Sequence, residues 1–195
     1  MSVVCGLDEA GRGPLAGPVC AAAVILGRNF PFDLLNDSKK LSEKNREIAM
    51  RAIYSGAIAW GIGWASSAEI DHINILRASL LAMERAFACL RLPAELGPVE
   101  AIADGLYSPR LPIPCRALVK ADASVREVMA ASILAKTARD RMMERYSWIY
   151  PEYAYEKHKG YPTREHLARI ASFGPSPLQR FSFHAGSPRQ GELEF

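Results

Sequence analysis

Apolar residues alternate at the start of the chain, with Val3, Cys5 and Leu7 on one face, so residues 2–8 are predicted to form a strand. Residues 19–26 are a continuous apolar run, and residues 58–64 alternate aromatic or aliphatic residues with glycine; both predict strands. Two shorter strands are expected at 99–104 and 116–120. Helical signals lie between and after them. Residues 41–55 carry Ile48 and Ala52 among charges and stop at Gly56. Ser66 and Glu69 form an S-x-x-E capping box that opens a second helical segment. The strongest helix is 73–90, where Ile73, Leu76, Leu80, Met83, Phe87 and Leu90 recur at three- and four-residue steps and mark a core-facing stripe, ended by Pro93. Ser124 and Glu127 repeat the capping pattern and predict a helix running to about Tyr146. Thr163 starts a last helix that closes before Gly174.

Three strands thus open the chain and two more alternate with helices. That order predicts an α/β fold, a mixed sheet covered by helices, with a helical C-terminal part from about residue 147. Residues 1–183 read as one domain, and 184–195 as a loose tail containing Gly, Pro and Ser.

Composition narrows the class. Of the 195 residues, 49% are hydrophobic, enough for one well-filled core. No apolar run approaches the roughly 20 residues a membrane helix needs. No basic segment followed by a long apolar stretch opens the chain, so neither a membrane span nor a secretory signal is expected. The net charge of +3 leans mildly toward polyanionic partners. Cys5, Cys20, Cys89 and Cys115 form no C-x-x-C pair, and the first three lie in apolar stretches, so reduced thiols and a cytoplasmic setting are expected. The histidines and cysteines lack ligand spacing, so zinc is not expected.

Carboxylates gather at the predicted strand ends. Asp8 closes the first strand with Glu9 beside it, Asp104 closes the fourth, and Asp122 follows the fifth, two residues before Ser124. Sites in α/β sheets assemble at such ends. Alternation sends Asp8 and Glu9 to opposite faces, so a shared site requires the strand to end there and the backbone to turn, which Gly11 and Gly13 permit. Four converging acids repel one another unless cations bind them. Oxygen donors select hard divalent ions, Mg2+ or Mn2+, and two such ions about 4 Å apart can hold a phosphodiester for hydrolysis. Each acid also has an ordinary use, since aspartates are common turn formers and cap residues. The pattern gains force only if the strands are neighbours.

The run GLDEAGRGPLAGP (6–18) resembles the N-terminal signature of ribonuclease HII, the type 2 ribonuclease H family. The likeness continues through DSKKLSEKNRE (37–47), EIDHINILRASLLAMERA (69–86), ADG (103–105), KADASVREVMAASILAKTARD (120–140), HKGYPTREH (158–166) and GPSPLQRFSF (174–183). Arg12 stands where the related ribonuclease HIII usually has a lysine, which favours HII. The resemblance implies a ribonuclease H-like fold, a five-stranded mixed sheet flanked by helices with a C-terminal helical segment. It implies an endonuclease that cuts RNA in RNA–DNA hybrids. It further implies cleavage on the 5′ side of single ribonucleotides in duplex DNA, leaving a 3′-hydroxyl and a 5′-phosphate, with two Mn2+ or Mg2+ ions.

The family's metal-binding and catalytic acids fall on Asp8, Glu9, Asp104 and Asp122, and Asp122 would help orient the attacking water. Gly11, Arg12 and Gly13 would read the 2′-hydroxyl at an RNA–DNA junction, with Arg12 on the adjacent phosphate. Tyr161 would stack on the deoxyribose that follows the ribonucleotide. Lys39, Lys136, Lys157, His158 and Lys159 are candidate phosphate contacts, though Lys136 can equally pair with Asp140. Gln179 departs from the histidine of many bacterial members. Arg180 is open between a structural and a phosphate-facing role, and His72, His166 and His184 are unassigned. The expected partners are RNA–DNA hybrid and ribonucleotide-containing duplex DNA, not membrane, and the expected state is a monomer. A non-catalytic hybrid-binding module would require a lost acid, and none is lost. Another two-metal nuclease or a strand-transfer enzyme on the same fold would not need the GRG turn and Tyr161.

Overall fold

A computed structural model describes residues 3–36, 38, 41–97 and 99–183. The apolar runs become five strands, β1 (Val3–Ala10), β2 (Val19–Leu26), β3 (Ala57–Ala65), β4 (Val99–Asp104) and β5 (Cys115–Leu118), in the order β3-β2-β1-β4-β5. β1 and β3 flank β2 antiparallel, whereas β4 pairs parallel with both β1 and β5. This is the expected mixed sheet. β2 is buried along its whole length because helices cover both faces, which explains its unbroken apolar sequence. Its odd-numbered residues Val19, Ala21, Ala23 and Ile25 meet helix α2 (Ser67–Ala88) on one face. Its even-numbered residues Cys20, Ala22, Val24 and Leu26 meet α1 (Glu43–Gly56) and α3 (Arg126–Ile149) on the other.

The helices differ from expectation in instructive places. The Ser66–Glu69 capping box forms, and its short segment joins the long helix at Asn74, a non-helical residue at φ 66. The predicted stripe does face the core, with Met83 buried at its centre, but small residues share the most deeply buried positions. Ala78, Ala82 and Ala86 are fully buried, while Ile73, Leu80, Phe87 and Leu90 pack partly buried around them. The cause is close approach to β3: a Cβ on Gly63 would lie 2.1 Å from the Ala82 carbonyl oxygen, so only small residues fit.

The Ser124–Glu127 capping box does not form. A 3-10 turn, Ala121–Ala123, takes the Ser124 N–H onto Ala121 O at 3.0 Å, and α3 starts two residues later with Val125 as an N-cap that has no side-chain bond. α3 also runs past Tyr146 to Ile149. A one-turn helix α4 (Tyr155–His158) precedes α5 (Arg164–Phe173), whose Thr163 cap and Gly174 terminus match expectation. All four cysteines are free, but Cys89 is exposed at the end of α2 rather than buried in its apolar stretch. The expected tail 184–195 lies outside the described residues.

α3 packs on β1 as closely as α2 packs on β3. A Cβ on Gly6 would lie 2.1 Å from the Glu127 carbonyl carbon, and neither backbone can retreat without moving the helix. Gly6→Ala is expected to destabilise by about 1–3 kcal/mol, as overpacking does. Gly97→Ala, with nothing within 4 Å, is the control expected to leave stability unchanged. Urea unfolding of both variants checks this; equal midpoints would refute the close packing.

Candidate active site

The parallel pairing of Leu7 with Ala103 carries Asp8 and Asp104, each one residue further on, to the same end of adjacent strands. The turn after β5 is tied to them through the backbone. Asp104 Oδ1 accepts the Ala121 N–H at 2.7 Å, which fastens Ala121–Ala123, with Asp122 at its centre, to Asp104. Lys120, left-handed at φ 58, makes the reversal that delivers this turn.

β1 does not end at Asp8. It continues to Ala10, with Asp8 opposite Ala22 and Glu9 opposite Ala21 on β2. The two acids share a corner for a different reason. The last β1–β4 pair is Leu7 with Ala103, and beyond it both Asp8 and Glu9 stand near enough to Asp104 to feel its charge. The turn comes afterwards, where Gly11 stands at φ +97.

The electrostatics follow from this crowding. Asp8 is 5% exposed. Burial pushes its carboxyl well above the usual range, the charges of Glu9 and Asp104 push the same way, and the Ser132 hydroxyl opposes them. The Glu9 N–H donates to Asp8 Oδ1 at 2.8 Å. Burial raises Glu9 as well, against the pull of Arg12, whose Nη1 donates to Glu9 Oε1 at 3.2 Å. Among the described residues no three acidic, histidine or cysteine side chains form a closed metal cage. Glu9 is instead turned onto Arg12, and Asp104 onto the Ala121 N–H. The donors are all hard oxygens, and their mutual repulsion is what a divalent cation relieves, so the residues fit Mg2+ or Mn2+.

Beside the acids, two loops meet. Leu15 N–H donates to Gly160 O at 2.8 Å, and a Cβ on Gly13 would sit 3.6 Å from the Tyr161 ring. Arg12, Gly13 and the partly exposed Tyr161 therefore form one surface with the buried Gly11 behind it, though Gly13 and Tyr161 stand 148 positions apart in sequence. The basic candidates divide differently. Lys136 donates to Asp140 at 2.8 Å, Lys157 pairs with Glu165 and Lys159 with Glu144. His158 is buried, held by Tyr153 O and the Gly160 N–H. Its stacked neighbour His166 is buried too and bonds Tyr161 O at 3.0 Å. Lys39 lies outside the described residues.

The sequence reading missed Ser132, which supports Asp8 and bonds Ser38 Oγ at 2.9 Å, and it missed Arg139, buried beneath the loops. A signal existed. Val128, Ser132, Ala135 and Arg139 recur at three- and four-residue steps on the buried face of α3, which marks both polar residues as inward-facing.

Comparison with known proteins agrees with this arrangement. A family model described as Ribonuclease HII matches residues 5–185. The chain is 58% identical to ribonuclease HII of Treponema denticola over 93% of this chain and 98% of that one. It is 51% identical to ribonuclease HII of Dechloromonas aromatica, over 94% and 91%. Among solved structures, the ribonuclease HII of Archaeoglobus fulgidus in complex with PCNA superposes with a TM-score of 0.72 at 26% identity, covering 98% of this chain and all of that one.

The acid cluster makes a stability prediction. Without divalent ions, Asp8→Asn removes repulsion and is expected to raise the Tm by about 2–4 °C, the shift for about 1 kcal/mol in a chain of this size. The same variant should lose the Tm increase that Mn2+ gives the parent. Thermal scans with chelator and with Mn2+ read both; a lower chelated Tm together with an intact Mn2+ response would remove Asp8 from the cluster.

Proposed function

The chain belongs to the ribonuclease HII family of divalent-metal-dependent endoribonucleases acting on RNA–DNA hybrids, and on that premise we propose that it also cuts 5′ of single ribonucleotides embedded in duplex DNA. The observation that carries this reading is the single surface formed by Gly11–Gly13 and Tyr161 next to the acid corner. A lone ribonucleotide differs from its surroundings by one 2′-hydroxyl, so an enzyme that finds it must read that group in the minor groove. Main chain at a glycine turn can come close enough to do so. Tyr161 supplies a flat apolar face for the next sugar and a hydroxyl at its edge.

Asp8, Glu9, Asp104 and Asp122 would hold two divalent ions, Mg2+ or Mn2+. When bound, such ions supply the Lewis acid that generates hydroxide and neutralises the leaving 3′ oxygen. The chain itself places the scissile phosphate. The end of β1 and the Asp104–Ala121 bond fix where the carboxylates stand, and Arg12, 40% exposed at its side chain, can leave Glu9 to take a phosphate bidentately. Lys136 and Lys39 remain phosphate candidates, Lys136 by exchanging Asp140 for a substrate oxygen. Residues 1–183 would make up one catalytic domain.

A duplex carrying one ribonucleotide tests this directly. With Mg2+ or Mn2+ the parent should nick on the 5′ side of that residue and stop with chelator; hydrolysis of long hybrid with no cut at a lone ribonucleotide would overturn the proposal. Asp8→Asn should abolish cleavage while hybrid binding persists. Tyr161→Ala should lower kcat/KM on the single-ribonucleotide duplex about tenfold, the scale of one stacking contact. Its affinity for plain DNA should change less; equal losses in both assays would reduce the ring to loop support.

A further inference from the structure

Two buried arginines lie beneath the junction-reading surface. Arg180 Nε donates to Gly17 O at 2.8 Å, Nη1 to Arg12 O at 3.0 Å and Nη2 to Gly11 O at 2.7 Å. Arg139 Nε donates to Pro18 O at 2.9 Å, Nη1 to Lys159 O at 3.0 Å and Nη2 to Ala16 O at 3.3 Å. Both side chains are almost entirely buried. Burial and the neighbouring charge of Arg139 pull Arg180 down to about 9, so the arrangement is costly. Apolar side chains would fill the space at lower cost, but only a forked donor holds so many carbonyls at fixed angles.

What they hold is the turn itself. The peptide links are trans, so turning the Gly11 and Arg12 carbonyls inward onto Arg180 sends the Arg12 and Gly13 N–H groups to the opposite side. Arg139 spans the other half of the surface. Its guanidinium grips Lys159 O two residues before Tyr161 and stands 6.0 Å from the Tyr161 ring centre. A Cβ on Gly11 would lie 2.0 Å from Arg139 Nε, so glycine is needed there to admit the brace as well as to make the turn.

We propose that Arg139 and Arg180 are positioning residues, a two-guanidinium brace that fixes the Gly11–Gly13 turn relative to Tyr161 and so sets the preference for a lone ribonucleotide over continuous hybrid. The proposal rests on the reading of that surface given above. Neither arginine touches substrate. A hybrid carries 2′-hydroxyls on both sides of the scissile step, so contacts outside the turn can hold it when the turn is displaced. A lone ribonucleotide offers a single position, and a misplacement near 1 Å costs up to about a hundredfold.

The test compares kcat and KM of the parent, Arg180→Lys and Arg139→Lys on a single-ribonucleotide duplex and on a long hybrid, with Tm measured for each. A merely structural role lowers the folded fraction and scales both substrates equally. The brace requires that a folded lysine variant lose at least about tenfold on the lone ribonucleotide relative to hybrid, mainly in kcat. Should both lysine variants fail to fold, Asp71→Ala loosens the same anchor from an accessible position. Asp71 accepts the Phe181 and Ser182 N–H groups, each at 2.9 Å, next to Arg180. It should shift the ratio in the same direction by about fivefold, the equivalent of the ~1 kcal/mol of one hydrogen bond. Folded variants that keep the parental ratio overturn the brace. A parent that never cuts the lone ribonucleotide overturns the junction reading instead.

Discussion

The structure depends on one register. Because β1 and β4 are parallel and their last pair is Leu7 with Ala103, strands from distant parts of the sequence part company at the same level, each with an aspartate as its next residue. A slip of one residue would turn Asp8 away from α3 and bring Leu7 or Glu9 into its place. The register is held from both sides. Val3, Cys5 and Leu7 pack into the layer beneath α2, and Gly6 lets the first turn of α3 rest directly on β1. That contact also sets the height of Ser132 against Asp8, so packing at Gly6 and hydrogen bonding at Asp8 belong to the same helix docking.

Around this register the fold tolerates two unfavourable electrostatic groups of opposite sign. The acids crowd at the sheet end, where burial and like charge raise Asp8 and Glu9. The two guanidiniums crowd beneath the neighbouring loop, where burial lowers both. In each case the local structure is less comfortable than an apolar alternative: the acids need a cation to relieve them, and the guanidiniums spend their donors on the carbonyls of the neighbouring loops.

Much of this was legible in the sequence. Alternation and apolar runs gave the strands in order, since a two-sided strand such as β2 must be apolar throughout. Thr163 and Ser66 act as caps, accepting the His166 and Glu69 N–H groups, as their positions predicted. Ser124 fails because the preceding 3-10 turn takes its N–H, a tertiary choice that spacing does not reveal. Hydrophobic size marked the core-facing side of α2 but not its buried alanines, which Gly61 and Gly63 of a strand nearby in space make room for. Of the site, the acids could be read from their strand ends, but the joining of Gly13 to Tyr161 could not, because it is carried by main-chain bonds. Arg180 could not be assigned from sequence, because an arginine in a loop gives no sign of whether its donors meet phosphate or carbonyl.

The Gly11–Gly17 loop is held from far along the chain: Ala16 bridges to Gln179, and the Gly11, Arg12 and Gly17 carbonyls accept from Arg180. None of the strand pairings of β1 to β5 uses these bonds, so the sheet sets the level of its acids without them. The loop beside the acids is thus fastened by a segment that the sheet itself does not need.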